Sequence, residues 1–462
     1  VSVAVGRGAS LTIARTVGRL SRRLGRGGGT SAPGKLLLRL RPGALEELGR
    51  ELPHGAATVS ATNGKTTTAR LVAACLDAEG WRYVANPAGA NLASGVATAL
   101  LEAAARRPRP DAALLEVDEF ALPEVARRLR PRVVLLMNLF RDQLDRYGEL
   151  EAVADAWGRM VRDLPATTRL VLNADDPAIA ALADDVHPVT WFGLDDPDVA
   201  LDALPHASDS TRCRTCGAPL DYSRVTLGHM GDWSCPHGHM RRPRPDVSLT
   251  RVTLDGPRGS ELEIATPAGP LSVSLALPGV HNAYNAAAAV ATALALDVAP
   301  ARIPAALSGA DAAFGRGERV VVGDREVVLL LAKNPAGANT TVQTVLLDPA
   351  PLHVLVALND RTADGQDVSW IWDVDYEPLL DRLAALTVTG DRAEDMALRF
   401  LYAGLPRERI RVERDPGAAL DAALADLPGG RPLYALPTYT AMLGLREILV
   451  RRGAVRDFWH DR

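Results

Sequence analysis

Three groups of residues have types and spacings that could do chemistry. The first is Thr62-Asn63-Gly64-Lys65-Thr66-Thr67. A glycine followed by Lys-Thr at a helix start offers backbone N–H groups and the helix dipole to phosphate, while the lysine reaches the outer phosphates and the threonine ligates magnesium. Val59 stands where the general phosphate-loop pattern has its first glycine. The assignment therefore leans on context: residues 56–59 read as a short buried strand before the loop, and Lys65 to Glu79 carries a helical apolar pattern after it. Glu116 ends a strand-like run, where a carboxylate can reach the magnesium held by Thr66 and the ATP phosphates. Asn282 and Asn285, three apart at a helix start, can face one ligand together. N-capping would explain one of them, not both.

The second group is Cys213-Arg-Thr-Cys216, followed after 18 residues by Cys235-Pro-His237-Gly-His239. This is the spacing of a tetrahedral structural zinc ribbon. Three thiolates need a fourth ligand, and His237 takes that place, with His239 an alternative and His229 a weaker one. The fourth cysteine, Cys75, lies in an apolar stretch on the helix behind the phosphate loop and reads as a small packed residue. The third group follows Lys333: Asn334-Pro335-Ala336-Gly337-Ala338-Asn339, then Leu358-Asn359-Asp360, then the run from Ala363 through Asp364, Asp367 and Trp370 to Asp373. Such a density of polar loop residues and tryptophans rarely serves packing alone.

These groups need elements to hold them. Strand-like runs at residues 112–117, 133–138 and 170–173, each followed by helix-forming sequence, imply an open, mostly parallel α/β sheet around the phosphate loop. Residues 205–245 interrupt that rhythm as an insertion, and residues 247–277 alternate like antiparallel strands until Pro278-Gly279. From Val320 a second alternation of strands and helices begins, implying a separate C-terminal α/β domain. The expected division is residues 1–40 as an amphipathic segment with a glycine-rich linker (25–34), 41–318 as the ATP-binding domain carrying the insertion, and 319–462 as the C-terminal domain. Within the first segment, residues 9–25 suit an amphipathic helix, either docked on the body or touching anionic lipid head groups.

Composition narrows the function. A chain of 462 residues is long enough for two or three domains, and 47% hydrophobic with 23% charged residues is the balance of a soluble globular protein. A formal charge of −4 argues against a protein that coats nucleic acid. Three of the four cysteines fall within 23 residues, which suits a metal site in a reducing compartment, so a cytoplasmic location is expected. No apolar run reaches the roughly 18 residues of a spanning helix.

The phosphate loop resembles that of the Mur ligases, which typically reads T-G-T-N-G-K-T; Ser60-Ala61 stand here in place of Thr-Gly. The likeness continues through Glu116-Val117-Asp118-Glu119, the run from Asn138 to Tyr147, Asn173-Ala174-Asp175-Asp176-Pro177 and His281-Asn282-Ala283-Tyr284-Asn285, in family order. It implies a central ATPase domain with Asn282 and Asn285 at the adenine. Two departures stand out. Gln143 replaces a histidine that many Mur ligases use for magnesium, and no lysine lies between Lys65 and Lys333 to serve as the carbamylated lysine of the amino-acid-adding enzymes.

The strings after Lys333 resemble the MurT branch, the synthetase subunits of lipid II isoglutaminyl synthase, and the resemblance spans nearly the whole chain, zinc insertion included. It implies ATP-dependent amidation of the D-glutamate α-carboxyl of the lipid II stem peptide through an acyl phosphate, with Lys65, Thr66 and Glu116 at the ATP–Mg2+ site and a structural Zn2+. Glutamine hydrolysis of the common kind needs a cysteine nucleophile with a histidine base, and this chain has no suitable cysteine. The resemblance therefore implies a GatD-type glutaminase as heterodimer partner, with Asp367 supplying the aspartate that completes the partner's Cys-His pair. Work on lipid II implies the inner face of the membrane. The rival expectations are a Mur or folylpolyglutamate-type ligase that adds an amino acid, and a zinc-ribbon module that binds nucleic acid.

Overall fold

The structure, a computed structural model, describes residues 11–14, 16, 31–86, 89–142, 150–206, 208–310 and 315–455. Most of the amphipathic helix expected at 9–25, and Gln143, lie outside these residues; 11–14 and Thr16 are helical.

Nine strands form the larger sheet: β1 (Ala56–Ser60), β2 (Tyr83–Ala85), β3 (Ala112–Glu116), β4 (Val133–Leu136), β5 (Arg169–Asn173), β6 (Val189–Leu194), β9 (Val247–Asp255), β10 (Gly259–Ala265) and β11 (Leu271–Leu275). Between them, β7 (Asp221–Leu227) and β8 (Met230–Ser234) make a separate antiparallel hairpin inside the insertion. The sheet order is β11-β10-β9-β6-β5-β4-β1-β3-β2. Strands from β2 through β6 to β9 pair in parallel, and β9, β10 and β11 are antiparallel, as the alternation over 247–277 predicts. Chain order reverses at β1, which lies between β3 and β4. The carboxyl end of such a switch strand is where an open α/β sheet leaves a crevice for ligand.

The strands flanking β1 are buried on both faces, so they read as continuous apolar runs rather than alternating ones. The alanine-rich helix Val280–Ala295 is buried along nearly its whole length; its small side chains allow close approach to the sheet beside the helix Lys65–Glu79. The opposite face is covered by the helices Ala93–Ala103, Leu122–Leu129 and Leu150–Asp163. Gly34, expected to close the linker, belongs instead to the helix Ala32–Leu40. A Cβ there would fall 1.8 Å from the Ser94 carbonyl oxygen, so glycine is what lets this helix lie against Ala93–Ala103.

The second sheet contains β12 (Arg316–Val322), β13 (Arg325–Leu330), β14 (Leu352–Ala357), β15 (Leu383–Thr389), β16 (Ile410–Val412) and β17 (Pro432–Pro437), in the order β12-β13-β17-β14-β15-β16. Only the edge pair β12–β13 is antiparallel. Because β12 starts at Arg316, the pairing groups residues 316–318 with the second sheet, ahead of the expected boundary at 319.

Candidate functional site: a phosphate-loop cleft, a cysteine cluster and an exposed aspartate

Gly64 turns the chain from the loop into the helix Lys65–Glu79 with φ 90°, and a Cβ there would meet Asn285 Oδ1 at 2.2 Å. Both the backbone and the space exclude a side chain. The loop is braced from the end of β4. Asn138 Oδ1 accepts from Asn63 N at 2.9 Å, Asn138 Nδ2 donates to Asn63 O at 3.0 Å, and Thr62 Oγ1 accepts from Phe140 N at 3.0 Å. Thr66 Oγ1 donates to Glu116 Oε1 at 3.0 Å, so the hydroxyl and carboxylate expected to share one cation are adjacent. Lys65 Nζ donates to Glu119 Oε2 at 2.8 Å and to the Ala61 carbonyl. Burial and the neighbouring Glu119 push the Asp118 carboxyl above its ordinary range.

Asn282 and Asn285 also meet the loop. Asn285 Oδ1 accepts from Thr68 Oγ1 at 3.2 Å, Asn285 Nδ2 donates to Asn282 Oδ1 at 3.0 Å, and Asn282 Nδ2 donates to the Pro278 carbonyl at 2.8 Å. Across the opening, Lys333 pairs with Asp142, and Asn334 exchanges amide hydrogen bonds with Asn63 at 3.1 and 3.4 Å. All the expected ATP residues line one cleft of about 530 Å³ between the two sheets, a size that suits a nucleotide with part of a second substrate. Cys75 is fully buried behind the loop, and burial pushes its thiol up to about 12, which leaves no thiolate near neutral pH.

The insertion gathers its cysteines on two turns. Each turn is closed by a bridge, Arg212 with Pro219 and Ser234 with Arg241, and each has a glycine at φ 73°, Gly217 and Gly238. Cys213, Cys216, Cys235 and His239 bring one donor atom apiece to within 4.8 Å of one another. Cys216 Sγ and Cys235 Sγ are 3.7 Å apart, and the edge of a tetrahedron with zinc–sulfur bonds of about 2.3 Å is about 3.8 Å. The donor set therefore fits a tetrahedral metal. Although burial opposes it, backbone N–H groups of Cys216 and Thr215 bring the Cys213 thiol down to about 7. The converging histidine is His239, which the sequence ranks second; His237 Nδ1 reaches only Cys216, at 3.4 Å, and is outside the converging group. His229 is fully buried beside Asp176, away from the cysteines.

Asp367 lies outside the cleft on the exposed loop after β14. Its carboxylate accepts from Ser369 N at 2.8 Å, and hydrogen bonds from Ser369 hold it below the ordinary carboxylate range. The neighbouring carboxylates are engaged elsewhere: Asp364 accepts from Thr440, Asp360 pairs with Arg392 and Asp373 with Arg141.

Residues 331–442 match the family described as MurT ligase C-terminal, and residues 59–233 match the Mur ligase middle domain. The subunit MurT of lipid II isoglutaminyl synthase (glutamine-hydrolyzing) from Streptococcus pneumoniae is 32% identical over 94% of this chain and 95% of its own length. The chain belongs to the MurT family. The protein of the same description from Staphylococcus aureus is 29% identical over 96% of this chain and 97% of its own. Among solved structures, a pseudomurein peptide ligase type C from Methanothermus fervidus superposes with a TM-score of 0.68 at 20% identity, covering 86% of this chain and 78% of that one. The folylpolyglutamate synthase of Mycobacterium tuberculosis, solved with ADP and AMPPCP, gives 0.60 at 17% identity over 98% and 100%. At these identities the likeness establishes a Mur-ligase fold.

Several residues of this MurT-family site escaped the sequence reading. Asn86 clasps the backbone of Glu116, accepting from its N–H at 3.0 Å and donating to its carbonyl at 2.8 Å. Nothing about an isolated asparagine before a proline signals that role. Lys333 and Glu119 stand among the quoted strings, but the charge each one pairs with, Asp142 and Lys65, is fixed only by the fold.

Proposed function

We propose that this chain is the synthetase subunit of a lipid II isoglutaminyl synthase and amidates the D-glutamate α-carboxyl of the stem peptide, using ATP and ammonia released from glutamine by a GatD-type partner. The observation that carries the reading is the near end-to-end match to a protein of that description, 32% identical over 94% of the chain, on a chain whose phosphate loop, carboxylate and asparagines converge on one cleft.

The reaction divides into two balanced steps. An oxygen of the carboxylate attacks the terminal phosphorus of ATP, the bond to the bridging oxygen breaks, and ADP leaves from an acyl phosphate. Ammonia then attacks the acyl carbon, inorganic phosphate leaves, and one proton is lost to give the amide. Backbone N–H groups of residues 62–66 and the dipole of the helix Lys65–Glu79 bind the phosphates. Lys65, held by Glu119 in the structure, exchanges that carboxylate for the outer phosphates and stabilises the transferred charge. Thr66 and Glu116 fit Mg2+, a hard cation with oxygen ligands, which supplies positive charge beside those phosphates when bound. Cys213, Cys216, Cys235 and His239 hold a structural Zn2+. Asp367 orients and stabilises the partner's catalytic histidine. Among the described residues no helix is long and apolar enough to cross a membrane, and lipid II as substrate puts the work at the inner membrane face.

The test is amidation of lipid II by the chain with ATP and glutamine, with and without the glutaminase, read by mass spectrometry. Replacement of one hydroxyl by one amino group only when both proteins are present is the expected result. No mass change with both present, or addition of an amino-acid residue, would overturn the proposal.

A further inference from the structure

The hairpin β7–β8 belongs to the insertion, yet its turn, Leu227-Gly228-His229-Met230, faces the phosphate-loop cleft. Leu227, Gly228 and Met230 line that cleft, and Leu227 and Met230 are buried. Gly228, His229 and Met230 each meet a neighbour of the first domain. Gly228 lies so close to the Phe140 ring that a Cβ would fall 2.7 Å from Cε1. His229 Nε2 is 3.3 Å from Asp176 Oδ2, and its ring sits 4.6 Å from that of Phe140. Met230 Sδ accepts from Asn173 Nδ2 at 3.2 Å, and the same amide donates to the Met137 carbonyl at 2.9 Å. Thr226 Oγ1 is 2.6 Å from the Tyr284 hydroxyl, which donates to Asp175 Oδ2; Asp175 in turn pairs at 2.7 Å with Arg242, from the far end of the insertion.

Tyr284 therefore joins two things. It lies between Asn282 and Asn285 on the first turns of the helix Val280–Ala295, and it is tied to the hairpin through Thr226 and to the far end of the insertion through Asp175 and Arg242. The cleft itself is polarised. Its lining carboxylates are Glu116, Asp118, Glu119 and Asp142, whereas on the hairpin side Met137, Phe192, Leu227, Met230 and Tyr284 make an apolar wall. Carboxylates suit the cation and the transferred phosphate. An apolar wall beside the loop suits the flat face of a purine.

We infer that the insertion hairpin forms the base-side wall of the nucleotide site, and that Tyr284 is the positioning residue that sets this wall against the helix carrying Asn282 and Asn285. The inference rests on the ATP reading above. It is tested by calorimetry on the full chain with its partner, titrating ADP and, separately, inorganic pyrophosphate, which has no base. Tyr284→Phe and Leu227→Ala should each weaken ADP by about tenfold, the loss of one buried hydrogen bond or wall contact, with pyrophosphate affinity unchanged and zinc content equal to that of the natural chain. In steady-state amidation Tyr284→Phe should raise KM for ATP more than it lowers kcat. Thr226→Val, which removes only the hydroxyl on the hairpin side, should repeat the selectivity if Tyr284→Phe folds poorly. Unchanged ADP affinity in the variants, or equal weakening of ADP and pyrophosphate, would overturn the inference while leaving the ATP reading intact. A natural chain that binds neither ligand would overturn both.

Discussion

Glu116 ends the parallel strand β3 and Asp367 lies on the loop after the parallel strand β14, yet their surroundings differ. Glu116 is half-buried, its carboxylate meets Thr66, and Asn86 fastens its backbone on both sides. Asp367 is exposed, and its hydrogen bond to Ser369 N closes an Asx-type turn that aims the carboxylate without giving it a charged partner among the described residues. The difference teaches where one chain's chemistry ends. A cleft that holds Thr66 against Glu116 and Lys65 against Glu119 has its own groups for activating a carboxylate. An ionised, exposed aspartate beside three carboxylates engaged elsewhere is what a second protein's histidine could use.

The sharpest way to break this comparison is Asp367→Asn. On the proposed role of Asp367, loss of its charge should lower glutamine-dependent amidation by about 10⁴-fold, while amidation from added ammonium salt stays near the natural rate. Loss of both activities would put Asp367 in the synthetase site or in the fold. Lys65→Ala and Glu116→Gln should do the reverse. Each should depress amidation from either nitrogen source, by on the order of 10²–10³-fold, the cost of losing one charge-stabilising group. Hydrolysis of glutamine by the complex should be affected less in these variants than in Asp367→Asn.

The same contrast explains what could be read from the sequence. The strand, loop and helix around Gly64 were legible because a phosphate loop is local: its glycine, lysine and threonine are consecutive, and burial on both faces leaves a continuous apolar run before it. That Cys213, Cys216 and Cys235 would lie together was legible from a C-x-x-C pair followed by a third cysteine on a second turn. Which histidine converges on them was not, because His237 and His239 are two residues apart on one turn and the closure from Ser234 to Arg241, not their spacing, brings the His239 ring to the cysteines. Gly34 was misplaced because a glycine after a glycine-rich stretch looks like linker, while its reason lies 60 residues away in the Ser94 carbonyl. The clasp of Asn86 on Glu116 and the pairing of Lys333 with Asp142 join segments far apart in the chain, and no residue type announces them.

Metal removal gives a smaller effect with a distinct pattern. Chelation, or Cys213→Ser, should lower the melting midpoint, by about 1 °C for each kcal/mol lost in a chain of this length, and should weaken ADP before it touches glutamine hydrolysis by the complex. The hairpin wall lies directly between the two cysteine turns, whereas the Asp367 loop lies on the other sheet. Equal loss of both functions would mean that the insertion supports the whole molecule rather than the nucleotide site.

The smallest effect concerns the joint between the two regions. Downstream of Asp367 the chain is fastened to the first sheet's side twice, Asp373 to Arg141 at 3.3 Å and Asp375 to His206 at 2.7 Å. The second tie is titratable. The hydrogen bond and charge of Asp375 raise the His206 imidazole above its ordinary value, with Glu377 and Asp373 adding to the field. A group whose folded pKa is raised contributes fully below its unfolded value, near about 6.5, and loses that contribution as pH rises through the folded value. His206→Ala should therefore lower the melting midpoint slightly at roughly pH 5.5 and leave it unchanged at roughly pH 8.5, whereas Arg141→Ala should act equally at both. If the pH-dependent part also changes glutamine-dependent amidation but not amidation from ammonia, the joint carries the cleft's state to Asp367, and the two regions are less independent than their hydrogen bonds suggest.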